Sequence, residues 1–429
     1  MAHSRIRSPE SYPGWVPILA AVILALSTPA SGLAQTAPPV SELGALVQVT
    51  TLTDTLEGRV GGVTIDRLGF VYVADFGEQI WKVSPWGDVE LLAKTMYGSS
   101  GNAVDAQGRV YQANFNANLI NRIGRDGTVE QFAAGFRGPV GITFDAAGDL
   151  IVCNCQANTL SRVTPAGEVS QFVSSALLNC PNGITLDGQG NFYVVNFSDA
   201  RMLKITPAGE VSEFATIPGG GNGHVIFAGG EFYVTGFRSN QLYRVTAAGE
   251  VSAVAGTGVR SATDGTGDVA TFSSPNGITY DPLRDILYVN DLLTPLRGRN
   301  TARNKSVVRR IQLPGMTAQF NAALASGGID AAVAAYHAAR AARPGRNTQA
   351  QTNALGYQLM GSGQVQDAIT VFKLNVEAYP NSFNPYDSLG EGYMTAGETE
   401  LAIEFYEKSL ELNPQNTNAV SKLNELRSQ

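Results

Sequence analysis

Three asparagines, Asn182, Asn222 and Asn276, each stand immediately before a glycine that opens a short β-rich run. In the earlier copies of that run the same place is held by Gly61, Ser100 and Val140. His224 follows the second of the three Asn-Gly pairs. Primary amides donate and accept hydrogen bonds but do not move protons at neutral pH. A cluster of them therefore points to recognition of a polar ligand more than to acid–base chemistry. Asn196 adds a fourth amide, and Arg238, Arg297 and Arg299 add positive charge suited to an anionic ligand or peptide. A lone histidine can also be a satisfied structural group, and the Arg297/Arg299 stretch can be a solvated loop. The chain carries no nucleophile elbow, P-loop, dinucleotide fingerprint or Cys/His zinc spacing.

These residues recur with a period. The glycines at 62, 101, 141, 183, 223 and 277 are separated by 39, 40, 42, 40 and 54 residues. Each opens a run such as Gly-Ile-Thr-Leu-Asp, followed by turn residues and a β-branched or aromatic run such as Phe192–Val195. Two further strands complete each copy, with a turn glycine before the fourth (Gly87, Gly127, Gly167, Gly209, Gly249). A period near forty with four strands per copy predicts a six-bladed β-propeller over 45–313, strands a to d running outward from the channel. Strand a begins and strand b ends on one face, so the residues above should gather at the channel mouth. The sixth copy lacks its fourth strand, and Leu46–Leu52 has the character to supply it and close the ring. Two features repeat in nearly every copy. One is an acid ending strand a (Asp66, Asp105, Asp145, Asp187, Asp281). The other is a basic residue in strand c (Lys82, Arg122, Arg162, Lys204, Arg244, Arg310). Features common to every blade serve folding, so functional residues should be those that break the symmetry.

The flanks read differently. Arg5 and Arg7, an apolar run from Trp15 to Leu26 and small residues to Ala34 resemble a cleaved export signal over 1–34, followed by a linker at 35–44. The apolar run is too short to span a bilayer, so no membrane span is expected in the mature chain. Export places the protein in the periplasm or outside the cell, where cysteines oxidise. Cys155 and Cys180 then fall on the mouth side as a disulfide, with Cys153 the odd thiol; three free cysteines is the alternative. The net charge of −7 argues against a nucleic-acid partner. From Pro314 to 429 the pattern becomes helical with a 34-residue period: Leu355-Gly356 and Leu389-Gly390, Ala368 and Ala402, Phe372 and Tyr406, Pro380 and Pro414. A degenerate earlier copy fits Ala332, Tyr336, Ala339 and Pro344.

The repeats resemble NHL repeats, and residues 45–313 as a whole resemble the gluconolactonase-like propellers. The strongest local match is Ala255-Gly256-Thr257-Gly258, Asp264-Gly265-Thr266-Gly267, Phe272 and Pro275-Asn276-Gly277. The helical region resembles tetratricopeptide repeats, which implies a protein partner for its concave face. The gluconolactonase resemblance implies calcium or another divalent cation at the mouth. Asn182 matches its Asn-Gly motif, with Asn276, Asp75 and Asp291 as further oxygen ligands. Where that family has a glutamate in blade one, this chain has Val60-Gly61-Gly62. The reading is therefore an exported propeller that binds a polar or anionic small molecule or peptide, with the helical repeats as an interaction module. The alternative is a metal-dependent gluconolactonase-like hydrolase or a related propeller lyase.

Overall fold

A computed structural model describes residues 37–94, 96–293, 305–342 and 346–428. The export segment at 1–34, Arg297, Arg299 and Pro344 lie outside the described residues.

The described chain forms a six-bladed β-propeller followed by a set of packed helices. Five blades are four-stranded antiparallel sheets in simple meander order. The sixth is closed from both ends of the repeat region: Gln48–Glu57 pairs antiparallel with Lys305–Gln312. The closing strand thus starts two residues later than the sequence suggests and runs five residues further. It is not the outer edge either, because Gly265–Thr266 pairs on its other side. The stretch expected as a linker packs on blade five instead. Val40 bridges Ala253, and Gln241 Nε2 donates to the Pro38 carbonyl at 2.9 Å.

The inner strands explain the repeated glycine. The six strands a touch one another in a closed ring around the channel. A Cβ on Gly62 would come 2.6 Å from the Gly101 Cα, and one on Gly101 would come 2.9 Å from the Gly141 Cα. On Gly141 it would meet the Asn182 carbonyl oxygen at 2.0 Å. Only a residue without Cβ lets neighbouring blades approach this closely.

The strand register shows which residues share this place. Val63 pairs with Val73, Asn102 with Gln112, Ile142 with Val152, Ile184 with Val194, Val225 with Val234, and Ile278 with Val289. The residue before each is Gly62, Gly101, Gly141, Gly183, His224 and Gly277. Blade five is therefore displaced by one from the sequence alignment, and His224, not Gly223, occupies the glycine place. The blade-to-blade bonds agree. The Gly62 N–H donates to the Ser100 carbonyl, and the His224 N–H donates to the equivalent Asn276 carbonyl.

The features present in every blade do serve folding. Asp66, Asp105, Asp145, Asp187 and Asp281 each accept two backbone N–H bonds from the following turn. Strand-c cations pair with acids of their own blade, as in Arg122–Glu130 and Arg162–Asp145.

The helices are α1 (Met316–Ala342, broken at Gly328), α2 (Gln349–Gly361), α3 (Val365–Ala378), α4 (Phe383–Thr395), α5 (Thr399–Leu412) and α6 (Thr417–Arg427). The 34-residue repeat is a packing repeat. Gly356 lies under the Phe372 ring and Gly390 under the Tyr406 ring, while Ala368 and Ala402 are fully buried between helices. Among the described residues no helix is long and apolar enough to cross a membrane.

Adding a methyl group at the inner ring should destabilise the propeller. Gly141→Ala forces a Cβ against backbone that cannot rotate away, so a loss of about 1–3 kcal/mol is expected. Gly188→Ala, with nothing within 4 Å, should be near neutral. Urea denaturation of both variants checks this; equal stabilities would contradict the packing account.

Candidate functional site

The mouth is built on the ring just described. Asn182 immediately precedes the ring residue of blade four. Its Nδ2 donates to the Asn222 and Gly223 carbonyls of blade five at 3.0 and 2.7 Å. Asn276 does the same from blade six to blade one, donating to the Val60 and Gly61 carbonyls at 3.0 and 3.2 Å. Because all four partners are acceptors, each amide must turn its nitrogen to the neighbouring blade and its Oδ1 away. Neither Oδ1 has a hydrogen-bond donor among the described residues.

The register slip takes Asn222 out of this series. It aligns with Pro139 and Pro181, and it reaches back to the Asn196 carbonyl at 3.1 Å. Asn196 is wholly occupied: it donates to the Leu177 carbonyl and to Asp199, and its Oδ1 accepts the Asn179 N–H. Asn114 and Asn154 accept the corresponding N–H bonds in blades two and three. The asparagines expected to line a ligand site therefore tie strands and blades together first. The Oδ1 atoms of Asn182 and Asn276 remain turned away from the ties, and the buried Asn222 Oδ1 likewise has no donor among the described residues.

His224 is 9 % exposed. Its imidazole has no hydrogen-bond partner among the described residues, and burial holds its pKa down at about 4. At neutral pH it is an uncharged ring in a place that five blades reserve for glycine. The strand beside it compensates. Thr235, where blades one to four have Ala74, Ala113, Cys153 and Val195, bonds the His224 N–H and carbonyl.

The two mouth acids do not assemble with the amides. Asp75 accepts the Gly77 and Gln79 N–H bonds and the Ser99 hydroxyl, while burial raises its pKa. Asp291 accepts the Ser273 N–H on both oxygens and lies 3.7 Å from the guanidinium of Arg309; both side chains are fully buried. Burial pushes Asp291 up to about 7. Arg309 in turn fixes the long blade five to six connection through Asp264 and the Thr263 and Thr271 carbonyls.

A hard divalent cation needs charged oxygen ligands facing one point. Asp75 and Asp291 are already taken up by N–H and hydroxyl donors and Arg309, and the partnerless oxygens of Asn182 and Asn276 are neutral. Among the described residues no three His, Cys, Asp or Glu side chains converge. The expected ligand set Asn182, Asn276, Asp75 and Asp291 therefore does not fit a divalent ion.

The corresponding place at the end of strand b holds Phe76, Phe115, Cys155, Phe197, Phe237 and Leu292, of which Phe115 and Leu292 are buried. Phe76 meets Phe115 with ring centroids 6.0 Å apart, and Phe197 meets Phe237 at 5.8 Å. Cys155 is bonded to Cys180 and Cys153 is buried and free. The exposed Arg238 lays its guanidinium 5.3 Å from the Phe197 ring and has no carboxylate partner among the described residues. Gly221, at φ 61°, clears its path, because a Cβ there would meet Arg238 Cδ at 2.3 Å. In the sequence this place is the apolar residue after each of Asp75, Asn114, Asn154, Asn196, Gly236 and Asp291.

Comparison with known proteins agrees with this architecture. Residues 56–263 match the model of the virginiamycin B lyase family. The propeller is similar to that family over those residues and shares its fold with a gluconolactonase. A gluconolactonase from Xanthomonas campestris is 16% identical, with a TM-score of 0.51 over 65% of this chain and 95% of that one. An auxiliary nutrient binding protein from Bacteroides thetaiotaomicron is 13% identical, with a TM-score of 0.53 over 62% and 76%. A virginiamycin B lyase from Staphylococcus aureus is 16% identical, with a TM-score of 0.45 over 62% and 99%. At these identities the likeness is one of fold. No curated protein matches the chain.

His224 sets a pH dependence. The unfolded chain takes up its proton near pH 6.5, while the folded chain holds it off to about 4. More protons on the unfolded state means that stability falls as pH drops through this window, by on the order of 3 kcal/mol. Urea midpoints for the native protein and His224→Gln from pH 7 to 4.5 should diverge by that slope. Parallel curves would show that the fold does not hold the His224 proton off.

Proposed function

We propose that the propeller is a binding module whose mouth, on the blade four to six side, takes a small anionic ligand with a planar or apolar part. The observation that carries this is Arg238, a cation without an acid partner among the described residues, held over Phe197 beside Phe237. Such a pair offers charge to an anionic head and an aromatic wall to the rest of the ligand. The free Oδ1 atoms of Asn182 and Asn276 add acceptors deeper in the channel for a ligand's hydroxyl or N–H groups. The reading extends to export and to a protein-interaction role for the helical repeats, which resemble tetratricopeptide repeats in period and in their glycine–aromatic packing.

A second reading is a lyase or hydrolase, favoured by the family match over residues 56–263. The fold itself hosts a nutrient binding protein as well as a gluconolactonase, so it supports both. The chemistry of the mouth favours binding. His224 near pKa 4 is a weak base at neutral pH, and Asp75 and Asp291 are held by backbone N–H groups and Arg309.

The test uses anilinonaphthalene sulfonate, an aromatic anion, as probe. Fluorescence titration should show one saturable site, weakened at least tenfold in Arg238→Ala and Phe197→Ala with melting temperatures unchanged. Gluconolactone hydrolysis, followed in parallel, should be the same for the native protein and His224→Gln. Probe binding indifferent to both substitutions would remove the binding reading. Lactone turnover lost in His224→Gln would establish the enzymatic one.

A further inference from the structure

A second concave site lies where the helices begin. A cavity of about 110 Å³ is lined by Gly315, Met316 and Thr317 at the start of α1, and by Ala339 and Arg340 near its end. Arg346, Thr348 and Gln351, leading into α2, complete it. Two of its lining side chains are guanidinium groups, and none is acidic.

Arg340 is held in an unusual way. Its guanidinium lies 5.8 Å from the Tyr336 ring and 5.2 Å from the Tyr379 ring. Its Nη1 donates at 3.4 Å to the Tyr336 hydroxyl and at 3.4 Å to Thr348 Oγ1. Thr348 is itself fixed, its N–H donating to the Tyr379 hydroxyl at 2.6 Å. No carboxylate pairs with Arg340 among the described residues. Two aromatic rings and a buried threonine therefore orient a planar cation that has long, weak acceptors and no counter-charge. Such an arrangement removes much of the ordering cost of a two-pronged contact to an oxyanion. Arg346 brings the second cation. It is paired with Asp285 in the a–b turn of blade six, so the cavity borders a contact between the propeller and the helices.

We infer that this cavity is a binding site for a small oxyanion, a phosphoryl or carboxylate group, held by Arg340 and Arg346 at the junction of propeller and helices. It is separate from the propeller mouth and does not depend on the function proposed there. An anion that binds only the folded chain should raise its melting temperature.

Inorganic phosphate and sodium acetate, each against sodium chloride at matched ionic strength, are the probes. Isothermal titration calorimetry on the full protein should give one saturable site for at least one of them, with a melting temperature that rises with concentration. Tighter phosphate binding identifies a phosphoryl ligand; comparable acetate binding identifies a carboxylate. Arg340→Gln should weaken binding at least tenfold. Gln351→Glu, at an exposed position, places a negative charge at the cavity rim and should weaken it similarly without disturbing the fold. No saturable binding of either anion overturns the inference. So does binding unchanged in both variants.

Discussion

Everything in the propeller depends on how closely six backbones can approach around one channel. At the ring residue of strand a, neighbouring blades stand at backbone contact, with no room for a Cβ between Gly62, Gly101 and Gly141. Five blades supply a glycine at this place, once in each repeat, and blade five places His224 there. The same constraint decides where polar groups can go. Carbonyls brought this close need donors, and Asn182 and Asn276 supply them across the blade boundaries, where water cannot. Thr235 and Asn290 do similar work one strand out. The amides that break the symmetry of the sequence thus do so first to hold the ring together.

Function has to be found in what this requirement leaves over. His224 fills a glycine place as a neutral imidazole with no hydrogen-bond partner among the described residues. Phe76, Phe197 and Phe237 are half-buried at the ends of strands b, and Phe115 is buried. Arg238 lies over Phe197 with no acid partner among the described residues. The acids that sequence spacing placed at the same rim, Asp75 and Asp291, organise loops instead; Asp291 and Arg309 pin the long connection between blades five and six. The Phe197 and Phe237 rings, Arg238 and the outward amide oxygens are equipped to hold a ligand more than to transfer its protons.

Much of this was readable in the residues. Period and turn glycines gave six blades, the closing strand, the turn acids and the helical repeat, because each rests on local backbone geometry repeated many times. The register of blade five was not readable. Asn222-Gly223 imitates Asn182-Gly183, and only the pairing of Val225 with Val234 reveals that the chain has slipped by one. The partners of Asn182, Asn196 and Asn276 were hidden for a related reason: an amide looks the same in sequence whether it faces a ligand or a carbonyl of the next blade. The cavity at Arg340 was hidden because Tyr336, Tyr379 and Thr348 meet only once the helices pack.

The most direct test is a crystallographic difference map of the protein soaked with anilinonaphthalene sulfonate. The account predicts sulfonate density against Arg238 and naphthalene density on Phe197 and Phe237, with His224 and the amide ties of Asn182 and Asn276 unmoved. Density seated instead against the His224 imidazole, with those ties broken, would contradict it.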